Sequence, residues 1–139
     1  MAQKVNEVMT PVPVAVSPDT SLVEAGDLMR QHGIGDVLVV HEGRLRGLVT
    51  DRDIVIRAVA AQRDMTTTTV ADICSTNMVT IGPAEDADEA VRLMREHAIR
   101  RLPVMEGDRP IGMVSIGDLA VQRDEHSALA DISAEPPNT

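Results

Sequence analysis

Phenylalanine, tyrosine and tryptophan are all absent from this sequence of 139 residues. Any hydrophobic core must therefore be built from Val, Leu, Ile, Ala and Met, and no nucleobase can stack on an aromatic side chain. Hydrophobic residues still make up 43% of the chain, which is the normal share for a globular protein. The absence excludes an aromatic platform for nucleic acid, and a folded domain remains the expectation.

Cysteine is almost as scarce, because Cys74 is the only one. A single cysteine cannot form an intrachain disulfide, so a reducing compartment is expected, with a reactive thiol or an intermolecular bridge as the alternative. The first residues lack the apolar segment of a signal peptide, and no apolar run approaches the roughly 18 residues of a transmembrane helix. We therefore expect a cytoplasmic protein without a membrane partner.

Positive charge is the minority charge of the chain. The 13 Lys and Arg residues face 22 Asp and Glu residues, which gives a formal net charge of -9. A negative field repels nucleic acids and anionic membranes, so neither is expected as a partner. An anionic ligand would have to be held by local groups. There is also no Walker motif, no CxxC pair and no nucleophile with a base nearby in sequence, so we expect no catalytic residues and no metal site.

The chain contains an internal duplication. Residues 5–54 align without a gap on residues 70–119, at a spacing of 65 residues, and 15 of the 50 aligned pairs are identical. Each copy is near the size at which a separate core is marginal, so the two copies are expected to share one core. We expect the copies to span residues 1–65 and 66–124, followed by a tail over residues 125–139 whose end is disordered.

Each copy has the pattern of a β-α-β-β-α unit. Prolines in the leading strand cannot donate to a ladder, which predicts an edge position for that strand, and the two strands of the hairpin should pair antiparallel. The expected fold is α/β (α+β), with mixed sheets packed together, helices outside and a pseudo-two-fold relation between the copies. In the first copy the predicted elements are a helical turn (5–9), a strand (11–16), a helix begun at Ser21 and ended at Gly33, a hairpin (36–49) and a closing helix (51–62), with residues 63–69 as the linker.

The same short motif closes the hairpin of both copies. Thr50 is followed three residues later by Asp53, and Ser115 by Asp118. This spacing is that of a capping box, in which the hydroxyl and the carboxylate each accept a backbone N–H at the start of a helix. A helix N-terminus can also receive an anion such as a phosphate. Both interpretations remain open, because a cap alone would have the same sequence.

In their order and spacing, these motifs resemble the CBS (cystathionine-β-synthase) domain, which occurs in tandem pairs called Bateman modules. The resemblance covers about residues 5–121 and includes the stand-alone, two-repeat stress proteins of that family. The segments that carry it are Val8-Met9-Thr10-Pro11, Val14-Ala15-Val16-Ser17-Pro18, Ala25 to Ile34 and Gly47 to Asp53 in the first copy, and Thr80 to Pro83, Ala90 to Ile99, Arg101 to Val104 and Gly112 to Asp118 in the second.

The resemblance implies a ligand with an adenosine moiety, such as AMP, ADP, ATP, S-adenosylmethionine or NAD, in a cleft between the repeats. It implies that Asp53 and Asp118 accept hydrogen bonds from ribose hydroxyls, and that Thr50 and Ser115 face phosphate. The expected adenine contacts are Val12, Val14, Met78 and Thr80. Arg100 and Arg101 lie where members of the family often carry a phosphate-binding base, whereas the first copy has Gly35 and Asp36 there. We therefore expect two unequal sites.

The function expected from the resemblance is regulatory binding without catalysis and without a covalent cofactor. The chain carries no effector domain, so the signal would pass to an unidentified effector protein, and a homodimer formed through the helical faces is expected. The alternative is a ligand-free dimeric structural or stress-response protein in which both Thr/Ser-x-x-Asp motifs serve only as helix caps. An enzyme that turns over a nucleotide is the third and least supported class.

Overall fold

The computed structural model describes residues 3–11 and 13–123, so Val12 and the predicted tail over residues 125–139 lie outside the described residues. Its helices are α1 (Val5–Val8), α2 (Leu22–His32), α3 (Asp51–Ile54), α4 (Val70–Ile73), α5 (Ala87–His97) and α6 (Ile116–Arg123), with a π-helix (Val55–Val59) directly after α3. Its strands are β1 (Thr10–Pro11), β2 (Ala15–Val16), β3 (Asp36–His41), β4 (Arg44–Thr50), β5 (Arg101–Glu106) and β6 (Arg109–Ser115). The chain is therefore an α+β protein, as predicted.

The elements repeat at the spacing of the sequence duplication. The pairs α2 and α5, β3 and β5, and β4 and β6 begin and end at positions that differ by 65 residues. Ser21 caps α2 by accepting the backbone N–H of Glu24 at 3.2 Å, and Gly33 ends that helix in the left-handed region at φ 63°. Both boundaries were predicted, because both depend on residues within one helical turn.

Tertiary contacts divide the chain into two compact units that cross the repeat boundary. The first unit combines the described residues up to Pro13 with residues 79–123, and the second unit contains Val14–Met78. Consequently α1 and β1 of the first copy belong to the unit that holds α5, β5 and β6 of the second copy. In the same way, α4 of the second copy belongs to the unit that holds α2, β3 and β4.

In the first unit, the leading segment is attached to the start of α5. The backbone N–H of Val5 donates to the carbonyl of Glu85 at 2.8 Å, and that of Ala87 donates to the carbonyl of Gln3 at 2.7 Å. Val5 is fully buried, so the short helix α1 is held by packing rather than by its own hydrogen bonds. The core of this unit consists of Val5, Val8, Ile81, Ala90, Met94, Leu102, Val104, Val114 and Leu119.

In the second unit, residues 63–69 are more than a polar linker. The carbonyl of Thr68 accepts the backbone N–H of Leu22 at 3.0 Å, and the side chain of Thr68 is buried. The N–H of Val70 donates in turn to the carbonyl of Thr20 at 2.8 Å. The segment is therefore part of the structure that starts α2. The core of this unit consists of Val16, Leu22, Ala25, Met29, Val37, Val39, Val49, Ala58, Val70 and Ile73.

The prediction of one leading strand over residues 11–16 was wrong. The segment forms two short strands in different sheets, because β1 pairs antiparallel with β6 whereas β2 pairs parallel with β3. Pro11 and Pro13 have no N–H groups, so neither can donate to a ladder, and the chain passes from one sheet to the other between β1 and β2. The expected edge position is confirmed for both strands, since the two sheets have the orders β1-β6-β5 and β2-β3-β4.

Only the sheet of the second unit is mixed, although mixed sheets were predicted for both copies. There β2 is parallel to β3 and β3 is antiparallel to β4. The named strands of the other sheet are all antiparallel, and its parallel contribution is a single bridge between Ile81 and Val104. Proline explains the difference, because the N–H of Leu38 donates to the carbonyl of Val14 at 2.9 Å, whereas Pro103 at the equivalent position has no N–H.

The predicted closing helix of the first copy is not a uniform α-helix. After α3 the hydrogen bonds change to a spacing of five residues, as the N–H of Ala60 donates to the carbonyl of Val55 at 2.9 Å. The π-helix ends at Val59, and the turn after it reaches the left-handed region at Gln62, which has φ 59°. Such π-helical turns occur frequently at functional sites.

Candidate functional site

In the first unit, the junction between β6 and α6 forms the predicted capping box. The hydroxyl Oγ of Ser115 accepts the backbone N–H of Asp118 at 3.1 Å, and Oδ2 of Asp118 accepts the backbone N–H of Ser115 at 2.9 Å. Both residues are half-buried. Among the described residues, the Ser115 hydroxyl serves only as an acceptor, so its own O–H can still donate. The junction can thus offer a donor and a carboxylate to a ligand.

The junction between β4 and α3 in the second unit has the same geometry. The hydroxyl Oγ1 of Thr50 accepts the N–H of Asp53 at 3.0 Å, and Oδ2 of Asp53 accepts the N–H of Thr50 at 3.0 Å. The structure therefore places Thr50 with Asp53, and Ser115 with Asp118, as the sequence motifs predicted. This geometry fits a helix cap as well as a ligand site.

A third capping box starts α4, and we did not predict it from the sequence. Oδ2 of Asp72 accepts the N–H of Thr69 at 2.9 Å, and this hydrogen bond holds the pKa of Asp72 below its usual value. The Thr-x-x-Asp pattern was visible at Thr69, but the four threonines around it indicated a linker. Since α4 does not follow a hairpin strand, Asp72 provides a capping carboxylate outside both candidate sites.

The position of a basic residue distinguishes the two junctions. Arg101 lies directly opposite Ser115 in the antiparallel pairing of β5 with β6. Residues paired across two strands project from the same face of the sheet, so Arg101 and Ser115 share a face. At the equivalent position, Asp36 lies opposite Thr50. Arg100 contributes its backbone, because its carbonyl accepts the N–H of Ile116 at 2.9 Å where α6 begins.

The remaining predicted site residues fall in different units. Thr80 is exposed and belongs to the unit of Asp118, next to Ile81, which bridges to β5. Val14 and Met78 are half-buried and belong to the unit of Asp53. Val12 lies outside the described part of the chain.

Thr10 is a neighbour of the Ser115 junction that the sequence motifs did not predict. Thr10 pairs with Met113, two residues before Ser115, because the leading segment of the first copy joins the second sheet. Ser75 holds the equivalent place in the other unit, where it bridges to Leu48, two residues before Thr50. Both residues carry hydroxyl groups, which was the available signal. Their neighbours across the sheet could not be read from the sequence.

An apolar groove in the first unit was also not predicted. It has a volume of about 300 Å³ and lies along α5 and α6. Ile116 is 55% exposed at its edge, at the position where the first copy has Asp51. The residues that line the groove are Val91, Met94, Arg95, Ile99, Ile116, Leu119 and Ala120.

Other kinds of site find little support among the described residues. Within residues 3–11 and 13–123, no group of three or more His, Cys, Asp or Glu side chains is arranged to hold a metal ion. Burial raises the pKa of the Cys74 thiol, which disfavours the reactive thiolate. In the part of the chain that the structure covers, no helix is both long and apolar enough to cross a membrane.

Two α+β units with matching strand-to-helix junctions define a tandem repeat protein. A comparison with known protein families also finds two repeats in this chain. The model of the CBS domain matches residues 5–59 and again residues 70–123. These matches cover most of the chain and both copies of the duplication. The chain therefore belongs to the CBS domain family and contains a pair of CBS domains.

Relatives and solved structures support this assignment over most of the chain. The CBS domain-containing protein YhcV of Bacillus subtilis is 41% identical over 133 residues, which covers 93% of this chain and 94% of YhcV. Hypoxic response protein 1 of Mycobacterium tuberculosis is 31% identical over 129 residues, covering 92% of this chain and 90% of that protein. The crystal structure of Hypoxic Response Protein I with two coordinated zinc ions aligns with a TM-score of 0.77, covering 86% of this chain and 98% of that one.

A further solved structure contains bound ligands. The CBS domain pair of protein MJ0100, in complex with 5′-methylthioadenosine and S-adenosyl-L-methionine, aligns with a TM-score of 0.79 at 25% identity. The alignment covers 86% of this chain and 98% of that chain. Both compounds in that structure contain adenosine.

Proposed function

We propose that this chain is a regulatory module that binds an adenosine-containing ligand, among AMP, ADP, ATP, S-adenosylmethionine and NAD, and signals by association with another protein. The observation that carries the proposal is the pairing of Arg101 with Ser115, directly before the helix that Asp118 caps. Membership of the CBS family and the adenosine compounds bound to the MJ0100 pair support the choice of ligand class.

The proposed chemistry assigns a different part of the ligand to each group. The carboxylate of Asp118 accepts hydrogen bonds from ribose hydroxyls through Oδ1, because Oδ2 already accepts the N–H of Ser115. Arg101 binds phosphate, for which the planar guanidinium is well suited, and the O–H of Ser115 donates to the same group. Aliphatic and backbone groups contact the adenine, as the chain has no aromatic residues. Thr80 contributes to this contact in the unit of Asp118, and Arg100 adds positive charge.

The equivalent proposal for the second unit uses Thr50 and Asp53, with Val14 and Met78 for the adenine. Asp36 replaces the basic residue there, so a phosphorylated ligand is bound less tightly. Val12 is proposed as a further adenine contact. No residue in either proposed site is assigned a catalytic role, and no covalent cofactor is involved.

Thermal unfolding tests the proposal. Because Trp and Tyr are absent, unfolding is followed with an extrinsic dye in millimolar AMP, ADP, ATP, S-adenosylmethionine or NAD. A ligand at 100 times its dissociation constant adds about 2.7 kcal/mol to the free energy of unfolding, which raises the midpoint by roughly 5 to 15 °C. We expect at least one compound to give this rise. If none of the five compounds changes the midpoint, the proposal is wrong.

Matched variants separate ligand binding from helix capping. Asp118→Asn keeps an oxygen for the cap but loses the anionic acceptor, so it should remove most of the rise. Asp72→Asn makes the same change at a cap outside both sites and should leave the rise intact. An equal response of Asp118→Asn and Asp72→Asn would contradict the site.

Arg101→Ala should weaken the binding of AMP, ADP and ATP by roughly tenfold or more. It should leave the binding of S-adenosylmethionine unchanged, because that compound has no phosphate.

The second candidate function is a ligand-free structural or stress-response protein. Formation of all three capping boxes favours it, since the Thr/Ser-x-x-Asp motifs already have a complete structural role. This candidate predicts no thermal response to any of the five compounds. It also predicts that Asp53→Asn, Asp72→Asn and Asp118→Asn affect only stability.

We further propose that the chain is a homodimer, as both candidate functions require association. Val55, Ile56 and Val59 of the π-helix are all more than half exposed, and contiguous apolar side chains of this kind mark association surfaces. The occupant we propose for this surface is a second copy of the chain.

Light scattering during size exclusion should give twice the mass of 14.9 kDa. Ile56→Glu should yield the monomer, and Ala61→Glu, at a nearby exposed position, should not. A monomeric wild-type chain would contradict the dimer.

A further inference from the structure

The carboxylates of the two junctions have different surroundings. Among the described residues, hydrogen bonds to the side chain of Asp118 involve Oδ2 alone. Asp53 uses its Oδ2 in the same way, but its Oδ1 lies 3.8 Å from Nε of Arg57. Both oxygens of Asp53 therefore have protein partners. A ribose hydroxyl that approaches Asp53 must compete with a guanidinium that is already present.

Arg57 is held in this position by a second contact. Its Nη1 donates to the backbone carbonyl of Ile73 at 3.1 Å, at the end of α4. Arg57 thus connects Asp53 to the leading segment of the second copy, within the second unit. Its side chain is 51% exposed, whereas that of Asp53 is only 16% exposed. The less exposed partner of this pair is the carboxylate that a ligand would need.

The duplication shows that this arrangement belongs to one copy. The position 65 residues after Arg57 is Gln122, which carries no charge. The same copy that has Arg57 also has Asp36 in place of Arg101. Two independent substitutions therefore distinguish the junction of Asp53 from that of Asp118. Asp36 disfavours a phosphate at the Asp53 junction, and Arg57 competes with the ribose for the carboxylate of Asp53.

We propose that Arg57 is a specificity-determining residue that weakens nucleoside binding at Asp53, so that the junction of Asp118 is the main ligand site. This inference rests on the proposed function and adds the residue that makes the sites unequal. Arg57 acts through Asp53, by forming an ion pair with the carboxylate oxygen that would accept from the ribose. The effect should apply to AMP and to S-adenosylmethionine alike, because both ligands present the same ribose diol.

Isothermal titration with AMP and with S-adenosylmethionine tests the role of Arg57. The Asp118→Asn background leaves the Asp53 junction as the remaining site, and Arg57→Gln then introduces the residue of the second copy. Removal of the competing ion pair should strengthen binding about fivefold, the equivalent of about 1 kcal/mol for a pair of this exposure. Arg52→Gln is the matched control, because it removes one positive charge from the neighbouring helix α3. Among the described residues, the side chain of Arg52 forms no ion pair with Asp53, so this variant should change affinity little.

The possible outcomes distinguish this inference from the proposed function. Arg57→Gln also removes the hydrogen bond to the carbonyl of Ile73, and that loss alone would weaken binding. An increase in affinity therefore cannot result from damage to the fold. Affinity that is unchanged or lower in Arg57→Gln relative to Arg52→Gln overturns the role of Arg57 while the Asp118 site stands. Two equal sites in the wild-type chain overturn it as well. If the wild-type chain binds neither compound, the proposed function fails and the inference fails with it.

Discussion

Leu102→Ala is expected to lower the free energy of unfolding by about 3 to 5 kcal/mol. Leu102 lies in β5, is fully buried, and packs in the core that includes Val104, Val114 and Met94. Truncation removes apolar contacts and leaves a cavity that a rigid strand cannot collapse to fill. This loss is a large part of the total stability of a domain of this size.

Denaturant unfolding followed by far-UV circular dichroism, at one fixed protein concentration, measures the effect. Val23→Ala is the control, because Val23 lies on α2 with 49% of its surface exposed and should change stability by less than about 0.5 kcal/mol. If both variants lost the same small amount, Leu102 would not be the core residue that the structure shows.

Gly112→Ala should lower the free energy of unfolding by about 3 kcal/mol through overpacking. A Cβ atom at this position would lie 2.5 Å from Sδ of Met9 and 2.9 Å from the backbone oxygen of Thr10. The methionine side chain can move, but the oxygen belongs to β1, whose pairing with β6 places Thr10 beside the Ser115 junction. Gly112→Ala should therefore reduce the thermal response to ligand as well as stability.

Gly26→Ala is the control for Gly112→Ala, and it should raise the free energy of unfolding instead of lowering it. Gly26 lies inside α2, and an added Cβ would meet nothing within 4 Å. Alanine is a better helix former than glycine, so the free energy of unfolding of this variant should rise by about 0.5 to 1 kcal/mol. The same measurement of unfolding serves both variants. A neutral Gly112→Ala would mean that β1 can move away from β6 at little cost.

The two predicted losses concern the same unit as the proposed ligand site. Leu102 follows Arg101 in β5, and Gly112 precedes Ser115 in β6 by three residues. The positions of the guanidinium and the hydroxyl thus depend on the packing directly beside them. The functional variants Asp118→Asn and Arg101→Ala change half-buried or exposed residues, so they should affect ligand binding more than stability.

The register of the hairpins illustrates what sequence patterns could not supply. Glu106 pairs with Arg109 across the turn, and continuing this register would place Val114 opposite Arg101. An irregularity between Val104 and Met105 shifts the pairing by one residue and places Ser115 there instead. The alternation of apolar residues predicts strands and turns, but an inserted residue depends on how the strand twists and packs.

The sequence by itself determined the features that depend on neighbouring residues. Capping boxes at Thr50 and Ser115, the end of α2 at Gly33, both hairpins and the 65-residue duplication could be predicted, since caps, turns and periodicity act within a few residues. The family could be recognised for the same reason, because its marks are short motifs at regular spacing.

Only the tertiary structure decided which distant segments meet. It placed the leading segment of each copy in the compact unit of the other, brought Thr10 beside β6, and joined Arg57 to the carbonyl of Ile73. It also held Ala98 at φ 55° to end α5, where the sequence offers no glycine. These outcomes follow from burial and long-range hydrogen bonds, which select among conformations that are similar in local energy and that local patterns cannot separate.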